Sequence, residues 1–320
     1  KPFGSLALID PWGFPKFLEN LDIKCNSIIN SVSYANKILK RNKIKVIYGY
    51  DQIEDILPLV IAAKKSNIKV ITSQHGVLTK FQPGWLAPGI DKNFCNLKSD
   101  KLIVWGDFWK DNLIENSSKY IESDIFVGKH INKDMTLRKL EDDYQKDIIG
   151  KKNISLIYPF EFMANKIVVN KFLKKFLDSG CKITVKLRVA SKNDPAGGDM
   201  KRDILSFDKD IRKKINFIYE LSDEEIVNLY DIVLCTQSTF AFEMMKFNKP
   251  IWYLDTDFHM IDCIANKNLA HRITLENAST IVEKRNINSN FYKPLYDDSQ
   301  YKSVFNQGIH DQTIIDQILL

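Results

Sequence analysis

The chain has 320 residues, of which 44% are hydrophobic and 27% are charged, and its formal net charge at pH 7 is +6. This composition is typical of a globular protein, and the usual size of about 100 to 200 residues per domain predicts two domains. The longest uncharged apolar run, residues 56–63, is much shorter than the roughly 20 residues that span a bilayer, so no transmembrane segment is expected. The first ten residues lack the pattern of a signal peptide, which predicts a cytoplasmic protein.

Cysteine spacing and charge exclude several classes of function. The five cysteines are far apart and include no C-x-x-C pair, which argues against a disulfide framework and a zinc site. There is also no H-E-x-x-H motif, so we expect no metal and no cofactor. The positive charge indicates an anionic partner, and phosphorylated small molecules or an anionic membrane surface fit it as well as nucleic acid does. Nucleic acid is not expected, because no predicted helix carries a basic stripe with interleaved aromatic residues.

The first half of the chain alternates between strand and helix patterns. Residues 44–50 and 68–73 are β-rich runs, and between them apolar residues recur at helical spacing at Ile53, Ile56, Leu57, Val60 and Ile61. Because this connection carries its own helix, the two strands should be parallel and joined by a right-handed crossover. The runs SLALID before them, and KLIVWG and DIFVGK after them, continue the alternation.

A polar, helical stretch near residues 135–149 precedes a second set of alternating elements, which begins with NISLIYPF. We therefore predict a first domain at 1–134, a linker helix at 135–150 and a second domain at 151–320. The fold class is α/β, with two Rossmann-like α/β/α domains that face a cleft, and ligands of such proteins bind in that cleft.

A predicted helix in the second half begins with polar residues directly after the apolar strand IVLCT. It starts at Gln237, Ser238 and Thr239 and ends at Asn248. Free backbone N–H groups and the positive end of the helix dipole would stabilise a phosphate at this start. Ser238 or Thr239 would equally serve as an ordinary helix cap. Glu243, one turn further along, favours the ligand site because it is placed to reach a ribose hydroxyl.

The run CTQSTFAFEMMKFNKPIWYLD resembles the nucleotide-binding domain of GT-B glycosyltransferases, in particular bacterial capsule and surface-polysaccharide transferases and the related CDP-glycerol glycerophosphotransferases. SQHGVLTK resembles the Gln/His-Gly element of those families, and KLIVWGDFWKD with DIFVGKHINKD resembles their end-of-domain pattern. The resemblance implies that 1–134 is an acceptor-side domain and that 151–320 is a nucleotide-binding domain. It also implies that the nucleotide of an activated donor binds at Gln237, Ser238, Thr239 and Glu243.

Two departures from the family pattern concern the charge around the donor. The Lys-Pro-His element of those families is replaced by VKLRVA, so Lys186 and Arg188 would supply the positive charge. Glu161, after the first strand of the second half, is expected to face the cleft, although the helix dipole explains an acidic residue there equally well. His259 is a candidate donor contact or a loop residue.

His75 follows a predicted strand of the first half and precedes Gly76. Imidazole titrates near neutral pH, which suits a general base that takes a proton from an acceptor hydroxyl. A structural histidine bonded to a backbone carbonyl is the alternative, and Asp10 is the rival base. Trp85, Trp105 and Trp109 are candidates for an acceptor groove or for core packing.

With the resemblance, these residues predict a metal-independent glycosyltransferase that moves a sugar, or a glycerol-phosphate-like unit, from a CMP-, CDP- or UDP-linked donor to a surface glycan. The expected partners are the nucleotide sugar and a glycan or lipid-linked glycan acceptor, with peripheral contact at the inner face of a membrane. A non-hydrolysing nucleotide-sugar epimerase, a nucleotide-sugar hydrolase and a catalytically silent carbohydrate-binding module remain alternatives.

Overall fold

Two separate parallel β-sheets organise the protein in the computed structural model. The structure describes residues 13–50, 53–78, 98–116, 119–129, 137, 144–161, 164–187, 200–236, 239–256, 263–306 and 311–319. Every strand pair among these residues is parallel, and parallel neighbours need connections longer than a hairpin turn.

The first sheet has four strands in chain order: β1 (Val46–Tyr50), β2 (Lys69–Ser73), β3 (Lys101–Val104) and β4 (Ile125–Val127). Its helices are α1 (Gly13–Arg41), α2 (Ile53–Lys65) and α3 (Asp107–Glu115), and a 3₁₀ turn spans Glu122–Asp124. The predicted parallel pair of β1 and β2 is confirmed. The predicted strand SLALID lies outside the described residues.

The second sheet has six strands in the order β10-β9-β8-β5-β6-β7. These strands are β5 (Ser155–Pro159), β6 (Lys182–Lys186), β7 (Asn216–Ile218), β8 (Ile232–Cys235), β9 (Ile251–Leu254) and β10 (His271–Ile273). The chain order reverses at β5, which pairs with β6 on one side and with β8 on the other. Open α/β sheets bind their ligands at the carboxyl ends of the strands at such a reversal.

The helices of the second half precede, connect or follow these strands. They are α4 (Tyr144–Gly150), α5 (Lys166–Asp178), α6 (Met200–Leu205), α7 (Lys209–Arg212), α8 (Asp223–Leu229), α9 (Thr239–Met244), α10 (Cys263–Asn266), α11 (Ala278–Glu283), α12 (Asp298–Val304) and α13 (Asp311–Leu319). Two 3₁₀ turns span Met245–Phe247 and Ser289–Tyr292.

Local sequence explains why these elements begin and end where they do. The predicted capping box at α8 is confirmed, since the Glu225 backbone N–H donates to the Ser222 hydroxyl (3.2 Å) and the Ser222 N–H donates to the Glu225 carboxylate (2.8 Å). The bonds to Ser222 also lower the pKa of Glu225. Asn248 ends the turn after α9 in the left-handed conformation (φ 55°), as its position before Lys-Pro predicts.

The largest buried apolar cluster contains residues of both halves. Trp109 of α3 packs on Phe242 of α9 with ring centroids 4.8 Å apart, so the carboxyl edge of the first sheet is held beside the second sheet. The last two helices strengthen this link. The Trp109 indole N–H donates to the carbonyl of Val304 (3.0 Å), and Ile314 of α13 is buried against Ile71 of β2. The domain limits 1–134, 135–150 and 151–320 stay a prediction.

Candidate active site

Gln74 fixes the loop that carries His75 and Gly76. Its buried side chain accepts a hydrogen bond from the Trp105 backbone N–H (3.0 Å) and donates one to the Gly76 carbonyl (2.8 Å). The Trp105 indole N–H donates to the Gln74 carbonyl (2.9 Å). With both ends of its amide bonded, Gln74 holds the strand end in one conformation and leaves His75 exposed to solvent.

The loop after β2 lies against the start of α9. A Cβ atom built on Gly76 would be 3.9 Å from the Thr239 methyl group, which places the two chain segments in near contact. The structure therefore brings His75 of the first sheet and Thr239 of the second to the same narrow gap. The base role of His75 stays a prediction, and Asp10, its rival, lies outside the described residues.

The tryptophans do not line this gap. Trp105 is 3% exposed and Trp109 is 0% exposed, and their rings pack edge to face with centroids 5.9 Å apart. The acceptor-groove interpretation is wrong for these two residues, because both rings belong to the core that joins the two halves. Trp85 lies outside the described residues.

Glu161 bridges the point where the strand order of the second sheet reverses. It follows β5, it is buried, and its carboxylate accepts hydrogen bonds from the Thr236 hydroxyl and from the Thr236 backbone N–H (3.4 Å). Thr236 follows β8, so the pair ties the carboxyl ends of β5 and β8 together. Because Glu161 is buried, losing these bonds would leave a buried polar group unsatisfied, so the pair stabilises the two strand ends.

Lys166 lies beside this pair, at the first position of α5. Its ammonium donates to the Glu161 backbone carbonyl and lies 3.9 Å from the centroid of the Phe160 ring. Burial lowers the pKa of Lys166 to about 8, although the carboxylates of Glu161 and Asp203 act to raise it. A partly buried cation at the carboxyl edge of β5 is suited to neutralise a phosphate group.

Lys186 ends β6 and reaches toward α9. Its ammonium is 5.6 Å from the centroid of the Phe240 ring, the residue after Thr239. Three strand ends of the second sheet, those of β5, β6 and β8, thus present Lys166, Lys186 and Thr239 around one edge. The predicted donor contacts Arg188, Gln237, Ser238 and His259 lie outside the described residues, and their roles stay predictions.

The helix that begins at Thr239 is shorter than predicted. α9 contains six residues and continues only as a 3₁₀ turn. A macrodipole grows with the number of aligned peptides, so a six-residue helix attracts an anion less than a long one does. The attraction at this edge therefore depends more on the lysine side chains and on individual N–H groups. Glu243 is half-buried on the same helix, and its predicted ribose contact stays a prediction.

The Lys-Pro pair before β9 belongs to the opposite end of the strands. Lys249 is buried and donates to the Tyr144 hydroxyl (3.0 Å), to the Val227 carbonyl (3.0 Å) and to the Tyr230 carbonyl. Burial lowers its pKa to about 8. Its three donors are satisfied by protein groups, so Lys249 secures α8 to α4 at the amino ends of the strands.

Residues 255–257 form an Asp-x-Asp motif after β9 that was not among the predicted site residues. Two carboxylates at this spacing would suit a divalent cation. Asp255 instead accepts a hydrogen bond from the Arg272 guanidinium (3.3 Å), and Asp257 lies outside the described residues. Within the described ranges, no group of three or more His, Cys, Asp or Glu side chains is placed to hold a metal ion.

Sequence reasoning missed Thr236 and Lys166, and it named Gln74 only as part of the Gln/His-Gly element. One signal for Lys166 was available, because lysine is unfavourable at a helix N-terminus and residues that break such a local rule often have a function. Thr236 could not be linked to Glu161, since the two are 75 positions apart and meet only through the strand order of the folded sheet.

Comparison with solved structures gives matches across most of the chain. A glycosyltransferase from Rickettsia africae has a TM-score of 0.53 at 16% identity, and the match covers 91% of this chain and 80% of that one. UDP-GlcNAc 2-epimerase from Methanocaldococcus jannaschii, in complex with UDP-GlcNAc and UDP, has a TM-score of 0.55 at 14% identity, and the match covers 91% of this chain and 80% of that one. Anabaena HepE, in complex with UDP and glucose, has a TM-score of 0.51 at 13% identity, and the match covers 99% of this chain and 82% of that one. No protein-family model and no curated protein matches the chain.

The chain has the GT-B fold, as the sequence predicted: two Rossmann-like α/β domains that face a cleft. At these levels of identity the matches establish the fold alone. Among the described residues, no helix is both long and apolar enough to span a bilayer.

Proposed function

We propose that this protein is a glycosyltransferase that uses a nucleotide-activated sugar. The observation that carries the proposal is the convergence at one gap: Glu161 and Thr236 join the two strand ends at the reversal, Lys166 lies beside them, and the loop with His75 approaches Thr239 from the other sheet. This arrangement separates a cationic edge for a donor from an exposed imidazole for an acceptor, as group transfer between two substrates requires.

The proposed reaction has one bond-forming and one bond-breaking event. An acceptor hydroxyl oxygen attacks the anomeric carbon of the donor, and the bond from that carbon to the phosphate oxygen of the nucleotide breaks. The hydroxyl proton passes to His75, and the nucleotide leaves with the bonding electrons. Lys166 and Lys186, with the N–H groups at the start of α9, would stabilise the charge that develops on the leaving group.

UDP is the first donor nucleotide to test, because the structures of the epimerase and of HepE contain it. CMP and CDP remain in the proposal on the resemblance to capsule transferases and glycerophosphotransferases, which also suggests a surface glycan or lipid-linked glycan as acceptor. The reaction is proposed to be metal-independent, since lysine side chains can neutralise the leaving group and Asp255 is engaged by Arg272.

Nucleotide-sugar epimerisation is the second candidate, because a UDP-GlcNAc 2-epimerase with bound UDP-GlcNAc and UDP shares the fold. Product analysis distinguishes the two. The purified protein is incubated with UDP-GlcNAc and UDP-glucose, with and without a pool of glycan acceptors and with or without EDTA. Acceptor-dependent release of UDP that EDTA does not prevent supports a metal-independent transferase. A second nucleotide sugar formed without acceptor would identify an epimerase, and free sugar as the main product would identify a hydrolase.

Peripheral membrane contact is proposed on the local charge of α1 and the turn that follows it. Residues 25–45 include five basic residues and no acidic one, and the exposed face of α1 carries Tyr34 and Ile38. Basic groups beside exposed apolar side chains bind anionic lipid surfaces. Sedimentation with phosphatidylglycerol vesicles but not with phosphatidylcholine vesicles would support the contact. Equal recovery in the two pellets would contradict it.

A further inference from the structure

An exposed aromatic side chain lies at the edge of the first sheet beside His75. Tyr50 is the last residue of β1 and pairs with Ser73, the last residue of β2, so it reaches the same carboxyl edge as the loop that carries His75. Tyr50 is 43% exposed, whereas Ile47 of the same strand is 8% exposed. The Tyr50 ring lies 6.5 Å from the His75 ring, centroid to centroid, with the two planes inclined by 57°.

The order of groups along this edge matches the order of two substrates. Thr239 at the start of α9 adjoins Gly76, His75 directly precedes Gly76 in the chain, and the Tyr50 ring lies beside the His75 ring. A donor held at the second sheet would present its anomeric carbon near Gly76. A molecule that delivers a hydroxyl to His75 from the first sheet would therefore extend over Tyr50.

The chemistry of Tyr50 fits a sugar ring. A pyranose has an apolar face of C–H groups and a rim of hydroxyls, and an exposed tyrosine offers an apolar ring face with a polar tip. The tilt between Tyr50 and His75 leaves an imidazole at the side of the platform, where a hydroxyl of the stacked ring would meet it. We infer that Tyr50 is a stacking platform for a pyranose ring of the acceptor, which His75 adjoins.

This inference rests on the proposed transferase function and makes it more specific. An epimerase acts on the nucleotide sugar alone and has no need for a second sugar site on the first sheet. A stacking platform beyond His75 would therefore favour transfer to a glycan over epimerisation.

The test uses methyl glycosides of glucose, galactose, mannose and N-acetylglucosamine, in both anomeric forms, as probes of the full-length protein. Saturation-transfer NMR measures their binding to wild type and to Tyr50→Ala, Tyr50→Thr and Tyr50→Phe. Tyr34→Ala is the matched control, since Tyr34 is 69% exposed on α1. Removal of the ring should weaken the best glycoside about three- to tenfold, while the Phe and Tyr34 variants bind as wild type does.

Melting temperatures identify any variant that fails to fold, and the Thr variant keeps a strand-favouring residue at the position. UDP affinity, measured in parallel, separates this inference from the proposed function. The platform is overturned if no glycoside binds wild type, or if the Ala and Thr variants bind glycosides with wild-type affinity. It is also overturned if these variants lose affinity for UDP and not for glycosides, which would place the nucleotide base on Tyr50. Failure of wild type to bind any nucleotide or nucleotide sugar would instead overturn the proposed function.

Discussion

The affinity of the protein for UDP should fall as the pH rises through the pKa of Lys166. This side chain lies at the reversal of the strand order, and burial lowers its pKa to about 8. Below that pKa the ammonium is present and attracts the diphosphate, whereas above it the amine is neutral and the attraction is lost. The carboxylates that face Lys166 are those of Glu161 and Asp203, and both oppose the effect of burial.

The size of the effect follows from the fraction of protonated lysine. At pH 7 about nine tenths of the Lys166 side chains carry the proton, and at pH 9 about one tenth do, given a pKa of about 8. If the nucleotide requires the charged form, its dissociation constant should rise about tenfold between these two pH values. Bound diphosphate favours the ammonium, so binding above pH 8 should also take up a proton.

Calorimetric titration of UDP at several pH values measures this dependence. Lys166→Arg keeps its charge throughout, so its affinity should stay constant where that of wild type falls. Any titration of UDP itself is common to both proteins and cancels in the comparison. Lys166→Met should bind UDP at least about tenfold more weakly at pH 7. Lys171→Met removes an exposed lysine of the same helix and should bind as wild type does.

Two outcomes would refute this reasoning. The first is a wild-type affinity that has the same pH dependence as that of Lys166→Arg, because Lys166 would then make no charge contribution. The second is a Met variant with unchanged affinity at pH 7, which would place the phosphates elsewhere.

Three further predictions address stability and catalysis. Thr236→Val removes the hydroxyl bonded to a buried carboxylate and should lower the free energy of unfolding by about 2 kcal/mol and the melting temperature by about 4 to 8 °C. Thr184→Val, in buried β6, is the control, and an equal loss in both variants would contradict the role of the Thr236–Glu161 pair. Gly106→Ala would put a Cβ 2.6 Å from the Val304 carbonyl oxygen and should lower the free energy of unfolding in urea by about 1 to 3 kcal/mol. Gly150→Ala is the control, because its Cβ meets no atom within 4 Å, and equal stability of the two variants would show that the C-terminal segment moves to accommodate the methyl group. His75→Asn should reduce turnover about 100- to 10,000-fold with UDP affinity kept, and full activity would leave His75 a structural residue.

The sheets were largely predictable because their strands are short, apolar and bounded by polar residues. The run that forms β8, for example, is wholly apolar and wholly buried, and a parallel strand covered on both faces requires this. Helix α1 was not predicted. Its 29 residues include many Asn and Ser, which have modest helix propensity, and its described part is stabilised by the burial of Val32, Ala35 and Leu39 against α2.

The site was predictable only where one segment carries it. The start of α9 and the His-Gly loop each have a local pattern, so the sequence could nominate both, and their roles stay predictions. The bond from Thr236 to Glu161, the core position of Trp105 and Trp109, and the return of α13 to the first sheet depend on contacts between distant segments. No spacing along the chain encodes such contacts, since they follow from strand order and from the packing of the two halves.

A crystal structure of the protein with bound UDP tests the central claim most directly. That claim places the diphosphate at the carboxyl edge of the second sheet, at the reversal between β5 and β8. The account predicts phosphate oxygens within hydrogen-bonding distance of the Lys166 ammonium and of the N–H groups at the start of α9, with His75 exposed across the gap. UDP bound on the first sheet, or at the amino ends of the strands near Lys249, would contradict it.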